Sequence, residues 1–182
     1  AFEKGMKDAG LTLDMTDLTP EENAAKDEIR THAKQLSGKQ QYLWCQGKLG
    51  QIIDGTGHKV NKIKSLRTIY EDWGYDTYMI FINTSLEATK AWNQKRERKV
   101  DEEEVLIPSW KAVQKNMGTF QSLFGKKDFY IIDNSPAATP KELSEMWKII
   151  TQEIAQEPLT NPKALAWIAT EKGVCDIPLP SP

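Results

Sequence analysis

The chain has 182 residues, 39% hydrophobic and 27% charged, with 24 basic and 26 acidic side chains for a net charge of −2. This is globular composition at a length that favours one domain, and the near-neutral balance leaves no global charge to drive binding to nucleic acid or an anionic membrane. No apolar run approaches the roughly 20 residues of a membrane helix, and the first residues hold no signal-peptide h-region.

Phe2 and Met6, four apart, put an apolar face on a helix over residues 1–10, which Gly10 closes. Thr19-Pro20-Glu21-Glu22 is a helix start, with Thr as N-cap, Pro at the first position and Glu at the third. That helix carries Ile29, Ala33 and Leu36 on one stripe and runs to Ser37-Gly38, and a second helical piece covers Lys39–Gly47. Leu49–Ile53 reads as the first strand. Lys59–Trp73 reads as an amphipathic helix with Ile63, Leu66, Ile69 and Tyr70 inward, ending at Gly74. Thr77–Ile82 is a continuous apolar run, as expected of a strand buried on both faces.

Asn83–Glu87 ends that strand and opens a helix to about Lys99. Asp101–Glu104 reads as a solvated acidic first turn. Val105–Phe124 is helical, with a break expected near Gly118. Phe129–Ile132 is a third strand, stopped by Asp133-Asn134-Ser135-Pro136. Helices over 140–156 and 161–172 follow, and residues 178–182 form a frayed tail. Trp44, Trp73, Trp110, Trp147 and Trp167 fall on helix faces as core residues.

Strands alternating with helices predict an α/β fold, a parallel sheet with right-handed crossovers and helices on both sides. No repeat or linker composition marks an internal boundary, so the chain reads as a single domain. Only three strands are legible where such sheets have more, and Ala1 is not a methionine. The expectation is that sheet-forming material lies upstream. Cys45 and Cys175 are the only cysteines. Two distant thiols beside six tryptophans are the pattern of a reduced cytosolic protein. No zinc site is expected, because there is no Cys-x-x-Cys and His32 and His58 lie 26 positions apart.

The chemistry concentrates at Asp54-Gly55-Thr56-Gly57-His58, directly after Gln51-Ile52-Ile53. A strand that delivers an acid, a hydroxyl and two glycines at its C-terminal end places them where open α/β sheets bind ligands. Two further pieces follow in order. One is Gly74–Glu87, a strand flowing into a helix. The other is Lys95-Arg96-Glu97-Arg98-Lys99, then Trp110, Gln114, Asn116 and Phe120, then Ile131-Ile132-Asp133-Asn134.

The order and spacing of these pieces, over roughly residues 1–135, resemble the zeta-toxin-like P-loop kinases, especially those of tailed phages. The resemblance implies a three-layer P-loop fold. It also implies an ATP-dependent phosphotransferase, using Mg²⁺, that acts on a hydroxyl of a small molecule, a nucleotide or a nucleic-acid end. It places the protein in the cytoplasm, the host's if phage-encoded. It implies that Asp54 and Thr56, with Gly55 and His58, hold the acceptor, that Arg96 and Arg98 touch the ATP phosphates, and that Asn93 and Asn134 lie on the nucleotide side.

The chain departs from that pattern twice. Trp92 stands before Asn93 where the family often has an arginine, and no G-x-x-x-x-G-K-[ST] phosphate loop occurs. Gly38-Lys39 is followed by Gln40 and has Ala33 in place of the first glycine, and Gly47-Lys48 is followed by Leu49. The expectation is that a strand, the phosphate loop and the next strand are missing upstream of Ala1 and that the chain is inactive alone. The alternative is a non-catalytic binding or interaction module derived from such a kinase.

Each residue also has a bland role. Asp54 can serve an ordinary Asp-Gly turn, Thr56 a helix N-cap, and His58 a surface position at a helix start. Arg96 and Arg98, two apart, share no helix face unless the helix ends there. Both suit a helix C-terminus, whose dipole favours cations. Asn134 can form an Asx turn before Pro136. Lys39, Tyr42, Trp44 and Lys48 make a strip that could touch RNA, with no nucleic-acid motif beside it.

Overall fold

The computed structural model describes residues 1–134 and 159–175, with Ser144, Trp147, Lys148, Gln152 and Ile154 between them. In chain order the elements are α1 (Phe2–Asp8), α2 (Pro20–Gln46), α3 (Val60–Asp72), β1 (Met79–Asn83), α4 (Leu86–Lys95), α5 (Ile107–Phe124), β2 (Phe129–Asp133) and α6 (Pro162–Cys175). A π-turn over Glu102–Leu106 leads into α5. The class is mixed α/β and mostly helical. The chain divides into two compact units, Ala1–Thr56 with Ser85–Ala112, and Gly57–Thr84 with Val113 onward.

In the first unit, α2 begins at a complete capping box. The Thr19 hydroxyl accepts from the Glu22 amide at 3.2 Å, and the Glu22 carboxylate accepts from the Thr19 amide at 2.8 Å. The helix does not stop at Ser37-Gly38. A glycine inside a helix costs only about 1 kcal/mol against alanine, and the helix formers on either side carry it through as one helix. It ends where Lys48 enters the left-handed region at φ 53, with the Leu49 amide bonded back to the Trp44 carbonyl at 3.1 Å. Helix α1 lies against α2 with Met6 fully buried. Gly5 makes this approach possible, since a Cβ there would stand 2.6 Å from Ile29 Cγ2.

The predicted strand Leu49–Ile53 does not form, and residues 49–59 have no regular structure. Ile52 is 93% exposed, and Leu49 and Ile53 are also open to solvent. A strand needs a neighbour for its amides and carbonyls, and among the described residues β1 and β2 pair only with each other. The Gln51 side chain turns back toward α2, its Nε2 donating to Cys45 Sγ at 3.0 Å.

In the second unit, β1 and β2 run parallel, with Met79 against Phe129 and so on to Asn83 against Asp133. In-register parallel residues point to one side of the sheet. Met79, Phe81, Phe129 and Ile131 therefore share a face, and Ile80, Ile82, Tyr130 and Ile132 share the other. The first face meets α3 and α5. Phe81, Phe120, Phe124 and Phe129 form the core, with Val60, Ile63, Val113, Met117 and Leu123 packed around it. Burial on both faces is incomplete, since among the described residues the sheet has two strands. Ile82 and Ile131, on opposite faces, are half exposed.

Helix α6 is tied to the end of α3. The Asp76 carboxylate accepts from the Thr160 amide and hydroxyl at 2.9 and 2.7 Å, and the Asn161 side chain donates to the Glu71 and Tyr75 carbonyls at 2.9 and 3.2 Å. Several predicted core positions lie on the surface instead: Ile69, Trp44, Trp147 and Trp167 are all exposed. Helix α5 runs through Gly118 unbroken. The helix predicted over 140–156, apart from five isolated positions, and the tail 178–182 lie outside the described residues.

Phe120 is fully buried at the centre of this cluster. Phe120→Ala is expected to destabilise the protein by about 3–5 kcal/mol. Urea unfolding checks this, and an unchanged midpoint would remove Phe120 from the centre of the core.

Candidate functional site

Asn93, Arg96 and Arg98 are brought together on one turn. Helix α4 ends at Lys95, and Arg96 follows in extended backbone at φ −79, ψ 146. Neither arginine is therefore on a helix, and the two-apart spacing does not keep them on different faces. Both groups of the Asn93 amide are used to close the turn, Nδ2 donating to the Val100 carbonyl at 2.9 Å and Oδ1 accepting from the Val100 amide at 3.2 Å. Arg98 stands over the Phe2 ring, 5.0 Å from its centroid, with Nη1 3.8 Å from Glu3 Oε1.

Lys99 lies 3.4 Å from the Asp14 carboxylate. The Thr16 hydroxyl and amide, bonded to Asp14 Oδ1 at 2.7 and 3.2 Å, and Lys99 beside them hold the Asp14 carboxyl below its ordinary value of 3.8. Further along, the acidic turn is not simply solvated. Lys90 pairs with Glu102 at 2.5 Å, a bond that raises the lysine's pKa.

Asp54, Gly55 and Thr56 lie in the same unit, exposed on the irregular segment rather than at a strand end. Asp54 has no hydrogen-bond or ion-pair partner among the described residues. The far end of the turn, in the second unit, is held by α5. Asn116 of α5 donates to the Gly57 and His58 carbonyls at 3.2 and 3.1 Å. Gly57 adopts φ 70, and a Cβ there would meet Phe120 at 3.6 Å.

The second unit also assembles a polar edge at the carboxyl ends of its strands, the place where parallel sheets present ligand-binding groups. Asn83 and Asp133 are in register as the last residues of β1 and β2. Gln114 of α5 donates to Asn83 Oδ1 at 3.0 Å, and the Asn134 amide donates to the Asn83 carbonyl at 2.7 Å. Asn134, a sequence candidate, is thus beside Asn83 through its backbone. The roles of Asn83, Asp133, Gln114 and Asn116 were not legible as a site. The signal available was an Asn or Asp immediately after each apolar strand, the same pattern that drew attention to Asp54.

The described residues hold no built metal site for magnesium-bound ATP. Among the described residues no three His, Cys, Asp or Glu side chains converge, and the sequence has no glycine-rich loop with the Ser or Thr that would hold the metal. A surface depression lined by Asp27, Glu28, Thr31, His32 and Gln35 is walled by α2 alone, so it cannot enclose a nucleotide. Among the described residues no helix is long and apolar enough to cross a membrane. No family model, no curated protein and no solved structure matches the chain.

Two outcomes follow from these contacts. Asp14 has a depressed folded-state pKa, so its contribution is present above its ordinary value and is lost as pH falls through the folded one. A carboxyl NMR titration should place its midpoint below 3.8, and a midpoint at or above it would remove the Thr16 and Lys99 contacts from solution. Asn116→Ala should cost about 1 kcal/mol and speed amide exchange over residues 57–59. Unchanged exchange there would mean that Asn116 does not hold the turn.

Proposed function

We propose that the chain is the acceptor-and-lid portion of a zeta-toxin-like phosphotransferase, which moves the γ-phosphoryl group of ATP to a hydroxyl of a small molecule, nucleotide or nucleic-acid end. The observation that carries this reading is the parallel, in-register β1–β2 pair, whose two carboxyl ends finish in Asn83 and Asp133-Asn134. It is supported by the order of sequence pieces around that pair and by the arginine turn that Asn93 closes. Asp54 and Thr56, with Gly55 and His58, would grip the acceptor. Arg96 and Arg98 would meet phosphate oxygens, for which the planar guanidinium is suited. Asn134 would lie on the nucleotide side. The phosphate loop and the metal site would come from polypeptide other than residues 1–182.

One observation favours a second reading, a non-catalytic interaction module. Leu36, Leu43, Leu49, Ile52 and Ile53 are each exposed along the end of α2 and the segment after it, and exposed apolar residues that lie together mark contact sites.

Transfer of labelled γ-phosphate distinguishes the two. The chain alone is expected to give none. A longer polypeptide in which a strand, G-x-x-x-x-G-K-[ST] and a helix precede Ala1 is expected to transfer phosphate. Arg98→Ala should lower that rate on the order of 10³-fold. Turnover by the chain alone above its own Arg98→Ala control would overturn the expectation of inactivity. No transfer by the longer polypeptide would leave the interaction module.

A further inference from the structure

The Lys95–Lys99 turn carries four cations and one acid, yet its charges are largely met from residues near the start of the chain. Glu97 pairs with Lys7 at 3.0 Å, Lys99 with Asp14 at 3.4 Å, and Arg98 with Glu3 at 3.8 Å. The Met15 amide donates to the Lys99 carbonyl at 3.2 Å, which holds the backbone as well. Arg98 therefore has a carboxylate at its edge and the Phe2 ring, 5.0 Å from the guanidinium carbon, against its face. Arg96, two residues away, is exposed and has no side-chain partner among the described residues.

Helix α1 is a firm platform for this contact. Met6 is fully buried, and the close approach of Gly5 to Ile29 fixes the helix on α2. The contact itself is weak. The Arg98 and Glu3 side chains are 43% and 59% exposed, and an exposed pair at 3.8 Å gains little in water. A phosphate group offers shorter, charge-assisted and bidentate bonds to the same guanidinium.

We propose that the first turn of α1 is an autoinhibitory contact, in which Phe2 and Glu3 compete with a polyphosphate ligand for Arg98. Binding then requires the guanidinium to swing off α1 while the helix stays in place. This rests on the reading of the arginine turn as phosphate-binding.

The test compares the wild-type chain with Glu3→Gln and with Phe2→Ala/Glu3→Gln. Glu3→Gln changes only an exposed carboxylate, so a folded variant is assured even if the double one fails. Phenylglyoxal modification, mapped by mass spectrometry, gives the rate at Arg98 relative to Arg96, and inorganic tripolyphosphate is titrated on the Arg98 side-chain NMR signal. In the double variant the relative rate is expected to rise about tenfold, with a smaller rise for Glu3→Gln, and tripolyphosphate should bind correspondingly tighter. An unchanged relative rate would show that α1 does not cover Arg98 and would overturn the proposal. A raised rate with equal or weaker tripolyphosphate binding would also overturn it, since Phe2 and Glu3 would then position the arginine rather than withhold it. ATP titrated on the same signal tests the underlying reading separately. If it binds no tighter than tripolyphosphate to any of these proteins, the phosphotransferase reading loses support while the competition for Arg98 stands.

Discussion

Parallel strands cannot be joined by a tight turn, because the chain must travel back along the sheet before it can pair again. In this protein β1 ends at Asn83 and β2 begins at Phe129. Everything from 84 to 128 is therefore a crossover, and it does two jobs. Its first part, through α4 and the π-turn, belongs to the first compact unit. Its second part, α5 from Val113, returns over the sheet and sets Phe120 and Phe124 against Phe81 and Phe129. The pairing of five residues with five is held by that aromatic layer, since two strands by themselves have little stability in water.

The same layer decides where polarity begins. Along the face of β1 that meets α5, Met79 and Phe81 are followed by Asn83, and along β2 Phe129 and Ile131 are followed by Asp133. On α5 Gln114, next to the core-packed Val113, reaches Asn83. The strand ends and this one helix side chain together make a polar edge at the carboxyl side of the sheet.

Much of the secondary structure was legible because its signals are local. The Thr19–Glu22 capping box, the glycines after α1 and α3, and the apolar runs of β1 and β2 each act within a few residues and ended up where the sequence put them. The errors arose where the outcome depended on distant partners. Ile52 and Ile53 have strand-like side chains, but a strand is a relation between two segments, and none is beside them among the described residues. Gly38 looked like a helix end, yet the hydrogen-bonded turns on both sides carry the helix across it. Of the candidate site, the grouping of Asn93 with Arg96 and Arg98 was legible from proximity in sequence. The role of Asn116 in fixing Gly57 and His58 was not, because nothing in the sequence shows that residues nearly sixty positions apart will meet.

The first compact unit is made of two stretches, Ala1–Thr56 and Ser85–Ala112, with part of the other unit between them. During synthesis on a ribosome, α1 and α2 emerge well before α4. The carboxylates of Glu3 and Asp14 and the ring of Phe2 therefore wait without Arg98 and Lys99 until the turn that carries both has also been made. The first unit closes late, by capturing a loop from a chain that has already begun to build its neighbour. A nascent chain stalled before that point would have its longest helix in place and lack the turn on which the arginines sit.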